Sequence, residues 1–361
     1  MRAVVIPVHP FLVGGSVFRR ALVLAVAACA ALPLAAPPAS AATAPQVVAS
    51  GKAAPWGIAF LPDGSALFTE RDTRAIWAVR PGAPARRIYT VTEAVPRGEA
   101  GLLGIAVGPT YARDGAIYLY YSTASDNRIA VIHRGSAARP RPIVTGIPAG
   151  SNHNGGRLVF GPDGYLYAGT GDGGNRANAQ NRASLGGKVL RMTTAGTPAP
   201  GNPFAGSLVY SLGHRNVQGL VFDRARHLWA TEFGQDTWDE VNVIVAGGNY
   251  GWPTVEGRSP DSRFRNPAWT WSPSQASPSG IAIKGGTLYV AALRGQRLWR
   301  LQFSGTTITQ ATPLYTGTYG RLRAAMQNPR DGAIWVLTSN RDGRGDPAPA
   351  DDRLLRFTIT P

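Results

Sequence analysis

The chain has 361 residues, 44% hydrophobic and only 16% charged, with 44 Gly and 29 Pro spread along its length. That composition excludes a disordered or collagen-like chain and suits many short strands joined by tight turns. The formal charge of +16 comes from scattered single arginines, with no Lys/Arg block and no recognisable binding module, which argues against a nucleic-acid partner.

Residues 1–41 read as a secretory signal peptide, which places the mature protein outside the cytoplasm. Arg19 and Arg20 precede an apolar run from Ala21 to Ala36, followed by Pro37-Pro38-Ala39-Ser40-Ala41-Ala42, with cleavage after Ala41 or Ala42. The run falls short of the roughly 20 residues a span needs and ends in prolines, so no stable membrane span is expected. Phe18 to Val23 resembles a minimal twin-arginine export pattern. Val26-Ala27-Ala28-Cys29 resembles a lipoprotein box, but apolar sequence continues past it. Cys29 is the only cysteine, so the mature chain would hold no disulfide. Without Arg2, Arg19 and Arg20 its formal charge would be +13.

From residue 45 to 361 one pattern recurs: a Gly, a short apolar strand, a turn that is often Pro-Asp-Gly, and a second apolar strand. Gly57–Phe60 turns through Pro62-Asp63-Gly64 into Ala66–Phe68. Gly104–Val107 is followed by Ile117–Tyr121, and Arg157–Phe160 turns through Pro162-Asp163-Gly164 into Tyr165–Ala168. Gly219–Phe222 leads to His227–Ala230, Gly280–Ile283 to Leu288–Val290, and Ala324–Met326 to Ala333–Leu337. The six turns, at Gly64, Gly115, Gly164, Ala225, Gly285 and Gly332, lie 47 to 61 residues apart. All-strand repeats of about 40–50 residues are propeller blades, and Asp-Gly supplies the positive φ of a tight hairpin. The expected fold is therefore all-β, a six-bladed β-propeller around a central channel. Third strands are expected at Ala75–Val79, Val241–Ile244 and Leu298–Leu301, with Leu354–Phe357 closing the ring beside Gln46–Val48. Two Gly/Asn-rich insertions, Thr170–Lys188 and Glu232–Trp252, are long connections of the kind on which sites are built.

Four clusters carry chemistry. Asn152-His153-Asn154-Gly155-Gly156-Arg157 precedes the first strand of repeat three. A histidine there projects into the channel top, where it can act as a general base, although a lone histidine is as readily structural. Leu212-Gly213-His214-Arg215-Asn216-Val217-Gln218 offers guanidinium and amide donors to a flat, oxygen-rich ligand, or satisfies its own backbone; His214 reads as structural. Thr231 to Glu240, followed by Gly247-Gly248-Asn249-Tyr250-Gly251-Trp252-Pro253, combines carboxylates with free carbonyls, the hard ligands calcium takes. With no mature cysteine and few histidines, a zinc cage is not expected. Gly320-Arg321-Leu322-Arg323 puts two guanidiniums on one strand face, where they repel unless an anion sits between them or they reach solvent. Arg294 adds a third charge at the same end of repeat five.

The order and spacing of these clusters, over essentially the whole mature chain, resemble the soluble glucose and aldose sugar dehydrogenases that depend on pyrroloquinoline quinone (PQQ). The matching segments are Gly98-Glu99-Ala100-Gly101-Leu102-Leu103-Gly104, His153 to Arg157, Gly213 to Gln218, and Asn249 to Pro253. The resemblance implies His153 as the base that deprotonates the anomeric hydroxyl of an aldose, with hydride passing to the quinone. It implies Glu99, Asn152, Arg215, Asn216, Gln218, Arg294, Arg321 and Arg323 around the cofactor. It also implies the carbonyls of Gly234 and Gln235 on a calcium that polarises the quinone, and Glu240 and Tyr250 on a second, structural calcium. Glu99 stands where the glucose enzymes usually have Gln, Asn152 where they have Asp, and Gln235 where Pro is frequent. The insertions are shorter than in the dimeric glucose-specific enzymes, which implies a monomer acting on a range of aldoses and passing electrons to an external acceptor. A propeller lactonase would need acidic residues entering the channel from several blades, and none are apparent. A non-catalytic binding propeller would be expected to lack His153 and the arginine pair.

Overall fold

The computed structural model describes Gly14 and residues 44–359, so the proposed leader lies almost wholly outside the described residues. The chain forms six antiparallel four-stranded sheets. Strand β1 (Gln46–Ala49) comes first, then blade one: β2 (Pro55–Phe60), β3 (Ala66–Glu70), β4 (Ala75–Val79) and β5 (Arg86–Thr90). Blade two is β6 (Leu102–Val107), β7 (Ala116–Ser122), β8 (Asn127–His133) and β9 (Arg141–Ile147), with the short helix α1 (Tyr111–Asp114) in its first turn. Blade three is β10 (Leu158–Phe160), β11 (Leu166–Gly169), β12 (Lys188–Met192) and β13 (Val209–Leu212); helix α2 (Ala177–Gln180) lies in its insertion. Blade four is β14 (Val217–Phe222), β15 (Leu228–Glu232), β16 (Asp239–Ile244) and β17 (Trp269–Trp271). Blade five is β18 (Pro278–Lys284), β19 (Thr287–Ala292), β20 (Arg297–Ser304) and β21 (Thr307–Leu314). Blade six is β22 (Leu322–Gln327), β23 (Ile334–Thr338) and β24 (Leu354–Phe357), with β1 as its outer strand.

The expected ring closure is borne out: Gln46 pairs with Arg356 and Val47 with Leu355. This pairing ties the two ends of the described propeller chain into one sheet and leaves the ring without an open seam. Apolar side chains fill the wedges between neighbouring blades. Between blades four and five, Trp229, Val241 and Trp271 pack on Ile281, Leu288 and Trp299. The inner strands present Ile58, Leu158, Leu220, Ile281 and Ala324 to the central channel. Because each inner strand runs the same way, the residues just before β10, β14 and β22 gather at one mouth of that channel. Among the described residues no helix is long and apolar enough to cross a membrane.

Deleting residues 44–50 removes the outer strand of blade six and leaves the β24 edge unpaired. The melting temperature is expected to fall by about 5 °C or more, since each kcal/mol lost is worth roughly 2–4 °C in a domain of this size. An unchanged melting curve by differential scanning calorimetry would show that the closure carries no stability.

Candidate active site

His153 lies in the turn before β10 with a left-handed backbone, φ +56°. A residue with a Cβ is strained there, and such strain is tolerated where surrounding contacts over-determine the conformation. Those contacts are present. Its N–H donates to Glu99 Oε2 at 3.1 Å, and its carbonyl accepts from Gly173 N–H. Gly171 allows the two loops to meet, because a Cβ at that position would fall on the His153 carbonyl oxygen.

This approach sets His153 Nδ1 2.8 Å from Asp172 Oδ1. Asp172 is fully buried and also accepts from Gly174 N–H at 2.8 Å and Trp252 Nε1–H at 2.9 Å. Burial pushes its carboxyl up, but the His153 hydrogen bond and charge and these N–H donors more than offset that and hold it below the usual carboxylate range. An ionised Asp172 can only accept, so Nδ1–H donates to it and the network assigns the lone pair of the neutral ring to Nε2. No described protein group bonds Nε2. Asp172 escaped the sequence reading although it sits in Gly171-Asp172-Gly173-Gly174, inside an insertion already singled out. Asn152, next to the histidine, is exposed and does not orient it.

The Asp172 loop is pinned from below. Lys188 is fully buried, and its ammonium donates to the carbonyls of Asn178 (2.6 Å), Ala179 (3.0 Å) and Gly186 (2.6 Å). Burial pushes it down to about 7. The three carbonyls, one for each ammonium hydrogen, work against that shift.

Around the mouth the structure gathers a surplus of donors. Asn216 is buried; its Oδ1 accepts from Gly155 N–H and Gln218 Nε2, while its Nδ2 has no partner. Gln218 Oε1 accepts from Arg323 Nη1 at 3.1 Å, and Arg323 Nε is buried without a partner. Arg321 and Arg323 are 7% and 6% exposed, so neither reaches solvent. Both approach Asp342 Oδ2, at 2.9 Å and 3.7 Å. One carboxylate thus serves two guanidiniums. Trp56, Glu99, Asn154, Gly155, Gln218 and Arg323 line a small cavity here. Arg215 stands beside it, fixed by Gln235 Oε1 (3.1 and 2.7 Å) and the Phe233 carbonyl (3.3 Å), near the face of Trp252. Arg294 is exposed in the turn after β19.

Glu99 does not add an unbalanced negative charge. Arg344, from the loop after β23, donates to its Oε1 at 2.7 Å, and His153 N–H holds Oε2. Burial raises the Glu99 carboxyl, but Arg344 and the backbone donor hold it below its ordinary range. Neither Arg344 nor Asp342 figured in the sequence reading.

The residues expected to hold metal divide. Gly234, Glu240 and Tyr250 line one small cavity with Glu232 and Glu256; Gln235 is outside that lining. Glu256 Oε1 accepts from the N–H groups of Gln235, Asp236, Thr237 and Trp238, at 2.7 to 3.2 Å. Gly234 N–H donates to Asp239 Oδ1. The amides of this loop therefore face carboxylates, and among the described residues no donor reaches the carbonyls of Gly234, Gln235 or Tyr250. Burial, then the neighbouring Glu232, pushes the Glu240 carboxyl well above its ordinary range. Among the described residues no three metal-ligating side chains gather here, so the hard oxygen ligands on offer to a calcium-like cation are the free carbonyls, beside carboxylates already held by protein donors. His214 is structural as expected, held by Glu232 and Ser211 at 2.8 Å each and stacked on Tyr250.

The site is thus a carboxylate-oriented histidine among surplus guanidinium and amide donors at the mouth of a six-bladed propeller. Comparison with known proteins specifies the family: the Glucose / Sorbosone dehydrogenase model matches residues 52–356, and the chain belongs to that family. The PQQ-bound aldose sugar dehydrogenase of Streptomyces coelicolor is 48% identical, with a TM-score of 0.84, over 89% of this chain and 99% of that one. Aldose sugar dehydrogenase YliI of Escherichia coli is 29% identical over 80% of this chain and 88% of its own length. A protein of Synechocystis described as uncharacterized, slr1608, is 34% identical over 82% and 84%.

Replacing Lys188 with Met keeps the volume and strands three buried carbonyls. The expected cost is about 2–4 kcal/mol in chemical denaturation, with faster amide exchange over residues 172–187. A neutral substitution would show that the ammonium does not hold this loop.

Proposed function

We propose that the protein is an exported quinoprotein that oxidises aldoses to lactones with PQQ and calcium, His153 acting as general base. The observation that carries this reading is the His153–Asp172 contact, which leaves Nε2 without a described protein partner in the turn that Asn216 holds through Gly155 N–H, where Asn216 Nδ2 and Arg323 Nε are unpaired. PQQ is a planar tricarboxylate with adjacent carbonyls. The unpartnered donors of Asn216 and Arg323, with Gln218, Arg321 and Arg215, fit it in charge and in hydrogen-bonding sense. Glu99, Asn152 and Arg294 stand at the rim.

When bound, the quinone supplies the two-electron acceptor for hydride, and calcium beside it supplies a Lewis acid. The chain's own work is to place and deprotonate the sugar. Nε2 takes the anomeric hydroxyl proton as the C1–H bond breaks, and ionised Asp172 stabilises the imidazolium that forms. The carbonyls of Gly234 and Gln235 would hold the calcium of the reaction, and Glu240 with the Tyr250 carbonyl a structural one. Electrons leave to an external acceptor, and the protein acts as a monomer. The 48% identity to an aldose sugar dehydrogenase crystallised with PQQ supports the cofactor, and the signal-like residues 1–41 support export.

The test is a PQQ titration in calcium buffer, followed by dye reduction with a panel of aldoses, with His153→Ala and Asp172→Asn beside the wild type. Turnover that needs both quinone and aldose is expected. Both substitutions should lower kcat by about 10²–10⁴-fold while quinone affinity stays within about twofold. Quinone binding without turnover on any aldose would reject the substrate assignment. Full activity of Asp172→Asn would reject the assigned role of the dyad.

A further inference from the structure

Beneath the mouth, the propeller axis is a cavity of about 210 Å³ walled by side chains such as Ile58, Leu158, Val221, Ile281, Ala324 and Met326. Among the described residues lining it, Arg157 is the only ionisable one. Its Nε donates to the Gln218 carbonyl at 2.8 Å, its guanidinium lies 4.3 Å from the centre of the Trp56 ring, and its Nη2 is buried with no partner. No carboxylate acts on it. Burial, then the like charge of Arg323, pushes it down to about 9, so it stays charged at neutral pH. Arg323 also stands near Trp56, at 5.9 Å, and keeps its own Nε unpaired.

A guanidinium nitrogen left without a partner, on a charge that no carboxylate balances, is costly beside an apolar channel, and an anion is what relieves the cost. We infer that the central channel holds a small monovalent inorganic anion, of the chloride or bromide class, against Arg157 Nη2. The site is distinct from the cavity at the mouth, whose lining does not include Arg157. The cation–π contact on Trp56 and the bond to Gln218 fix the guanidinium, so the anion meets a preorganised donor. Polar coordination comes from one side only, and the aliphatic wall does not compete for the charge. An ion here offsets the repulsion between Arg157 and Arg323 without occupying the mouth. The inference rests on charge and packing in the channel and is independent of the redox reading.

The test uses the wild-type protein without added quinone. Crystals grown or soaked in sodium bromide should show an anomalous peak beside Arg157 Nη2. In solution, exchanging a bulky organic sulfonate for chloride at constant ionic strength should raise Tm saturably, by about 2–5 °C. Arg157→Met should abolish both the peak and the chloride dependence. If that variant does not fold, the wild-type bromide map alone decides. No bromide peak at Arg157, or one confined to the mouth beside Arg321 and Arg323, would overturn the inference. So would a chloride effect that persists in a folded Arg157→Met protein.

Discussion

A buried positive charge must find a negative partner, and at the axis of this propeller the buried Arg321 and Arg323 and the half-buried Arg157 face one carboxylate, Asp342. Arg321 and Arg323 share Asp342, while Arg157 has no acid at all. The surplus explains why the donors that remain, Asn216 Nδ2, Arg323 Nε and Arg157 Nη2, have no protein partner at the centre of a well-packed ring. Buried polar groups are normally paired, so a concentration of orphans of one sign marks where something outside the chain belongs. The blades exist in this sense to hold like charges together. Their inner strands all start at one mouth, and the apolar wedges between them pay the cost of ordering it.

The negative charges at the mouth are placed where they work on other residues. Asp172 fixes the tautomer of His153; Glu99 holds the His153 backbone and takes Arg344; Glu256 gathers four amides and so turns the 234–238 loop. Each carboxylate is fixed by several donors, which keeps its partner in one geometry, and the donors of Asp172 and Glu99 hold those two below the usual carboxylate range. The strained backbone of His153 is held by Glu99 and Gly173 while Asp172, beside Gly173, aims its ring, so strain and orientation are set by neighbouring contacts of one loop pair.

The six blades were legible in the sequence because their signals are local: Pro-Asp-Gly turns, apolar strand pairs and a repeat near 50 residues. Even the ring closure of Gln46–Val47 on Leu355–Arg356 followed from the place left for a last strand. His153, Asn216, Gln218, Arg321 and Arg323 were also readable, since each lies just before or at the start of an inner strand. What the sequence hid was pairing between loops. Asp172 lies 19 residues from His153, and Arg344 lies 245 from Glu99; no periodicity links such positions. Glu99 and Asn152 depart from the Gln and Asp of the enzymes the chain resembles, and only the fold shows that Arg344 balances the first and that Asp172, not residue 152, meets the His153 ring. An unassigned acid in a Gly-rich insertion was the one signal that pointed to Asp172.

The most direct measurement is calorimetric titration of the protein with PQQ in calcium buffer at low and moderate salt, with Arg323→Met beside it. The expected result is one quinone per chain, an affinity that weakens with salt, and a loss of at least about tenfold in the variant, as for a charge-assisted contact to a carboxylate. No binding in the wild type, or binding indifferent to both salt and the substitution, would contradict the view that unpaired guanidinium charge defines the site.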